Sequence, residues 1–99
     1  KKNIQPLSDI ISKINQVNGY SYNWKDENAD PSLQIGLLAQ EIQKVYPQLV
    51  KENNGTLSVN YNGMVPVLLE AIKEQQQQIE TLKNENRQIK KIVSQLLKK

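Results

Sequence analysis

Six serines, thirteen basic side chains and one run of alternating aromatics are the residues of this 99-residue chain with chemical potential. A serine becomes a nucleophile only beside a base that takes its proton. Ser8, Ser12, Ser21, Ser32, Ser58 and Ser94 stand in no motif that nominates any of them. The chain has no His and no Cys. This excludes the His-based triad, thiolate catalysis, disulfides and the common zinc sites, and no metal or cofactor is expected. Tyr20, Tyr22 and Trp24 alternate with Ser21, Asn23 and Lys25, which gives a strand one aromatic face. Such a stripe can stack bases or sugars, but in a chain this poor in aromatics it is better read as core.

The net charge of +3 is unevenly placed. Residues 1–63 balance six Lys with six acidic residues, whereas 64–99 carry seven Lys/Arg against four Glu. The excess is spread around a helical pattern without aromatics, so it reads as a solvated face, and nucleic acid is not an expected partner. No apolar run approaches the roughly 20 residues of a bilayer span, so no membrane segment is expected. The opening Lys1-Lys2-Asn3 reads as the interior of a longer polypeptide.

The elements that would position these residues follow from periodicity. Ile10, Ile11, Ile14 and Val17 recur at helical spacing, predicting a short helix over 8–17 with Ser8 as its N-cap, stopped by Asn18-Gly19. The aromatic strand comes next, then a polar loop over 26–32 and an extended stretch at Gln34-Ile35-Gly36. A second helix is expected with Leu37, Leu38, Ile42 and Val45 as its stripe and Pro47 at its end. Asn53-Asn54-Gly55 predicts a hairpin between strands at 49–52 and 56–60. The first 62 residues thus form an α+β lobe of two short helices and few short strands, too small to bury a sizeable core by itself.

Residues 63–99 form the second unit, a long helix starting at Asn62 or Gly63 with Pro66 in its first turn. A heptad runs through it without a break. Val65, Ile72, Ile79, Asn86 and Val93 take position a; Leu68, Gln75, Leu82, Ile89 and Leu96 take position d. A narrow seam along a helix of this length requires partner helices. Asn86 and Gln75 put polar groups in the seam, which either fix register and oligomer number or are tolerated defects. Glu85 at g and Lys90 at the following e can pair between helices. Ile at a with Leu at d favours dimers; Ile89 at d, with Ile92 and Leu97 beside the seam, favours more strands. The heptad leaves two and three strands open.

Several segments in order carry a family resemblance. They are Lys1-Lys2-Asn3-Ile4 with Pro6-Leu7, Gly19-Tyr20-x-Tyr22-x-Trp24, the block from Ile35-Gly36-Leu37-Leu38-Ala39-Gln40-Glu41 to Tyr46-Pro47, Leu49-Val50, Val59-Asn60-Tyr61, and Val65 to Glu74. Together they resemble the C-terminal intramolecular chaperone domain of endosialidase tailspikes. That domain also occurs in other phage tail fibres, bacterial surface proteins and the myelin regulatory factors. The resemblance implies a homotrimer that registers the upstream fibre of the same polypeptide and releases itself by cleaving a Ser-Asp bond.

The family motif is Ser-Asp-x-Arg-x-Lys, with the lysine as base for the serine. Lys1 aligns with that lysine, and the serine falls five residues before residue 1, so these 99 residues are expected to be inactive alone. A lysine base needs burial or nearby cations to bring its pKa towards neutrality. Gln40 and Glu41 either support that site or serve the helix N-terminus, where a carboxylate is favoured. Asn3 either holds the backbone near the scissile bond or caps a turn. Gly36 is expected to allow a tight turn or close packing, and Tyr61 to pack at the base of the long helix. The implied location is a phage virion or a bacterial surface. A permanent trimerisation tip without cleavage, and a DNA-linked oligomerisation domain, are the competing readings.

Overall fold

The computed structural model describes residues 1–98. Its order is α1 (Ile10–Ile14), β1 (Gly19–Tyr22), β2 (Gln34–Leu37), α2 (Ala39–Val45), a 3-10 turn (Pro47–Leu49), β3 (Val50–Asn53), β4 (Thr56–Val59) and α3 (Tyr61–Leu97). The fold class is α+β, a small lobe followed by one long helix. The strands form two separate antiparallel hairpins, β1 with β2 and β3 with β4. The radius of gyration is 21.0 Å, against about 13 Å for a compact chain of this length. The helix causes the difference, since it projects well beyond the lobe.

The core is small. Ile10, Ile42, Tyr46, Met64, Val67 and Ala71 are buried, and Leu37, Val45, Leu49, Val50 and Val59 pack around them. Met64, Val67 and Ala71 lie on the first turns of α3, so the lobe is completed by the long helix. Ile42 of α2 is fully buried.

Several expected boundaries move, each for a local reason. Ser8 is not the cap of α1: Asp9 occupies that position with φ 55° and makes no side-chain cap. The hydroxyl of Ser12 instead donates to the Asp9 carbonyl at 3.0 Å. The helix ends at Ile14, where Asn15 N donates to the Ile11 carbonyl and Gln16 N to the Lys13 carbonyl. Trp24 lies outside β1 and is 53% exposed. Its ring meets Tyr22 edge-on at 5.1 Å. Tyr20 and Tyr22 are half-buried, so the aromatic face is only partly core.

Leu37 is not helical but ends β2, where it pairs with Gly19, and Leu38 is the extended N-cap of α2. Strand pairing wins there because the Gly36 backbone is drawn against β1 opposite Tyr20. The second hairpin turns at Asn54 and Gly55, with φ 51° and 79°, the positive angles of a two-residue hairpin turn. Leu49 belongs to the 3-10 turn, yet its carbonyl accepts from Asn60 N at 2.7 Å and so extends the pairing.

Asn60 also starts α3. Its side-chain oxygen accepts from Gly63 N at 3.2 Å, which satisfies one of the free N–H groups of the first turn. Because the cap is Asn60, the helix starts at Tyr61 and Pro66 falls in the second turn, within the helix. There it forgoes one intrahelical hydrogen bond. The expected extension of the helix to Lys99 ends outside the described residues.

Candidate functional site

The heptad and the lobe use different faces of α3. The lobe covers Met64, Val67 and Ala71. At 3.6 residues per turn, the stripe of a and d positions lies roughly 90° around the helix from that face. Its eight apolar members, Val65, Leu68, Ile72, Ile79, Leu82, Ile89, Val93 and Leu96, are each 45–64% exposed. Gln75 and Asn86 lie exposed in the same stripe. An open apolar stripe running the length of a long helix is far more contiguous than scattered surface apolar residues. Ile92 and Leu97 beside it are exposed as well.

The stripe starts one seam position before Val65. Tyr61 falls at the d position before Leu68, and its ring is half-exposed. Its hydroxyl accepts from Leu37 N at 3.0 Å. A Cβ on Gly36 would lie 2.8 Å from that oxygen and 3.2 Å from Tyr22 Cε1. Close packing is therefore the role of Gly36. Gly63 is used likewise, since a Cβ there would collide with Leu49 Cδ2.

Gln40 and Glu41 sit in the first turn of α2 as expected. The Glu41 carboxylate is fully engaged: Tyr20 Oη donates to Oε2 at 2.7 Å, and Asn18 N donates to Oε1 at 3.1 Å. The Tyr20 hydrogen bond is the main reason its carboxyl is held below the ordinary Glu value, and the same bond raises the Tyr20 phenol. This contact ties α2 to the start of β1. Gln40 instead lines a groove of about 470 Å³ with Tyr22, Trp24, Leu38, Val59 and Tyr61. Lys1 is exposed, and among the described residues no hydrogen bond or ion pair joins it to Gln40 or Glu41. Asn3 adopts φ 57°.

One buried polar atom went unforeseen. The Tyr46 hydroxyl is buried without a hydrogen-bond partner among the described residues, while Lys13 Nζ sits 5.1 Å from its ring centre. Burial raises the Tyr46 pKa. The alternation of residue types gave no signal for this, because Tyr46 is buried in a core whose members Ile10, Met64, Val67 and Ala71 come from distant parts of the chain.

The fold and its open stripe define a small α+β head carrying a long amphipathic helix whose a/d stripe the head leaves uncovered. Residues 1–51 match the family described as the chaperone of endosialidase, and the chain belongs to that family. The match covers the lobe as far as the start of β3 and stops before α3.

Relatives extend the likeness over the helix. A long tail fibre protein, Gp37, of Salmonella phage S16 is 36% identical over 99% of this chain and 14% of its own length. Its namesake in Escherichia phage AR1 is 36% identical over 75% of this chain and 7% of its own. The chain therefore spans only a small part of these relatives.

Proposed function

We propose that this chain is the intramolecular chaperone domain of a phage tail fibre, acting as a homotrimer. The lobe of 1–62 and the helix of 63–99 divide the work. Three helices join along Val65, Leu68, Ile72, Gln75, Ile79, Leu82, Asn86, Ile89, Val93 and Leu96, and the lobes hold the upstream chains in register. The carrying observation is the stripe that the lobe leaves open along α3. Family membership and similarity to two tail fibre proteins support the same reading.

Registration matters physically because fibre contacts lie between chains. Joining three chains early turns a search at bulk concentration into one at high effective concentration. In the intact protein, a serine five residues before Lys1 acts as nucleophile in cleavage of the Ser-Asp bond and gives its hydroxyl proton to Lys1; the Asp nitrogen leaves as an amine and water hydrolyses the ester that remains. Gln40 and Glu41 support that site from the first turn of α2. The released fibre is then kinetically trapped in its assembled form.

A second reading, a permanent trimerisation tip without cleavage, is favoured by the Glu41 contacts, which leave that carboxylate committed to Tyr20 and Asn18. Light scattering over a concentration series tests the shared part. A mass three times the 11.3 kDa chain is expected, and a monomer at every concentration overturns it. Expression of a longer chain with the Ser-Asp segment restored separates the two readings, since only the first yields a cleaved product.

A further inference from the structure

The groove beside α3 contains Trp24, Leu38 and Tyr61, all substantially exposed in the single chain. Leu69, on the outside of the helix, is 55% exposed and has no part in the lobe core. We infer that Leu69 of a neighbouring copy fills this groove, so that each lobe contacts the next helix and the association surface extends past the coiled coil. The inference rests on the homotrimer proposed above, with its three helices parallel so that the lobes share one end, and names the partner surface for it.

Three observations converge. First, Tyr61 is common to both surfaces: it is the first d residue of the stripe and a wall of the groove. Second, Met64 and Ala71, the buried g positions, show that the lobe flanks the stripe on its g side. In a parallel coiled coil each g position faces the e position five residues later on its neighbour. The g position at 64 is covered by its own lobe, so residue 69 of the neighbour meets the lobe wall at that level.

Third, the e positions change character where the lobe ends. Leu69 is level with the lobe along the helix axis but on the opposite flank of the stripe, whereas Gln76, Lys83 and Lys90 lie beyond the lobe. An apolar side chain is favoured at e only where something apolar covers it. At the far end Leu97 is apolar again, and there Ile92 is the facing g residue. Helix axes 8–10 Å apart leave room for one such side chain and no intervening layer.

The chain has no cysteine, so cysteine pairs can be placed without background. The full chain carrying both L38C and L69C is treated with a short thiol-reactive cross-linker and separated by mass under denaturing conditions. Glu85→Cys with Lys90→Cys serves as the coiled-coil control, and circular dichroism confirms that both variants retain their helix. Covalent dimers and trimers from the L38C/L69C chain, with none from either single variant, are expected. Cross-linking of the control pair alone overturns the groove contact and leaves the coiled coil standing. Failure of both pairs overturns the parallel coiled coil, and the groove contact with it.

Discussion

The Tyr61 hydroxyl accepts the Leu37 backbone N–H at 3.0 Å, joining the first residue of the long helix to the last residue of β2. This bond holds the lobe against the base of α3, and Gly36 makes it possible by leaving room for the phenol oxygen. Gly36→Ala should displace that oxygen and destabilise the lobe by about 1–3 kcal/mol. Tyr61→Phe alone removes the acceptor at a cost of about 1 kcal/mol. The two act on one contact, so the double variant should be less unstable than the sum of the singles. Urea unfolding of the four proteins measures the coupling, and strict additivity would contradict this arrangement.

The Glu41 pair predicts a pH dependence. The native state holds the carboxylate, so its pKa is lowered by the Tyr20 hydrogen bond first. Its contribution is complete above the ordinary carboxylate range and disappears as pH falls through the lowered pKa. The raised Tyr20 phenol acts at the other end: its contribution is complete below its ordinary pKa and disappears as pH rises through the raised one. Both describe a single interaction and are not to be added. Thermal melts of wild type and Glu41→Gln should converge at low pH, and NMR titration should find the Glu41 carboxyl below the ordinary Glu value.

Ile42 is the only fully buried large side chain among the described residues. Ile42→Ala should cost about 2–5 kcal/mol, because so small a core cannot close around the lost volume. The long helix should persist in this variant if the helices remain associated. Near-ultraviolet signal from Trp24 and Tyr46 would then fall at a lower temperature than the helical signal.

Asn86 lies in the open stripe at an a position, and Gln75 lies eleven residues earlier at a d position. Asn86→Ile should raise the melting temperature of the assembly while broadening its mass distribution, since an aliphatic seam accepts more than one stoichiometry. Sedimentation or light scattering checks the second part. A more stable assembly of unchanged, single mass would assign Asn86 no part in selecting oligomer number.

Replacing the cap of α3 tests the link between lobe and helix. Asn60→Ala removes the acceptor for Gly63 N and should cost about 0.5–2 kcal/mol. The loss should appear in hydrogen exchange of the first turn of α3, near the groove, with the distal turns unaffected.

The amino-acid sequence alone determined the long helix, its seam and the second hairpin turn. Each rests on local or strictly periodic signals: the heptad from Val65 to Leu96, and the positive φ that Asn54-Gly55 accommodates. The family blocks were legible for a similar reason, as a run of specific residue types in order. The start of α2 was not, because Leu37 and Leu38 fit a helical stripe equally well until β1 supplies a pairing partner for Leu37. The same applies to Glu41, whose place at a helix N-terminus was evident while its commitment to Tyr20 and Asn18 depended on bringing α2 beside the start of β1. Tertiary packing alone decided which side of α3 the lobe covers. Periodicity identifies a face by its apolar residues, but both Met64-Val67-Ala71 and the a/d stripe are apolar there; only the position of Ile42, Tyr46 and Ile10 in space buries one and leaves the other open.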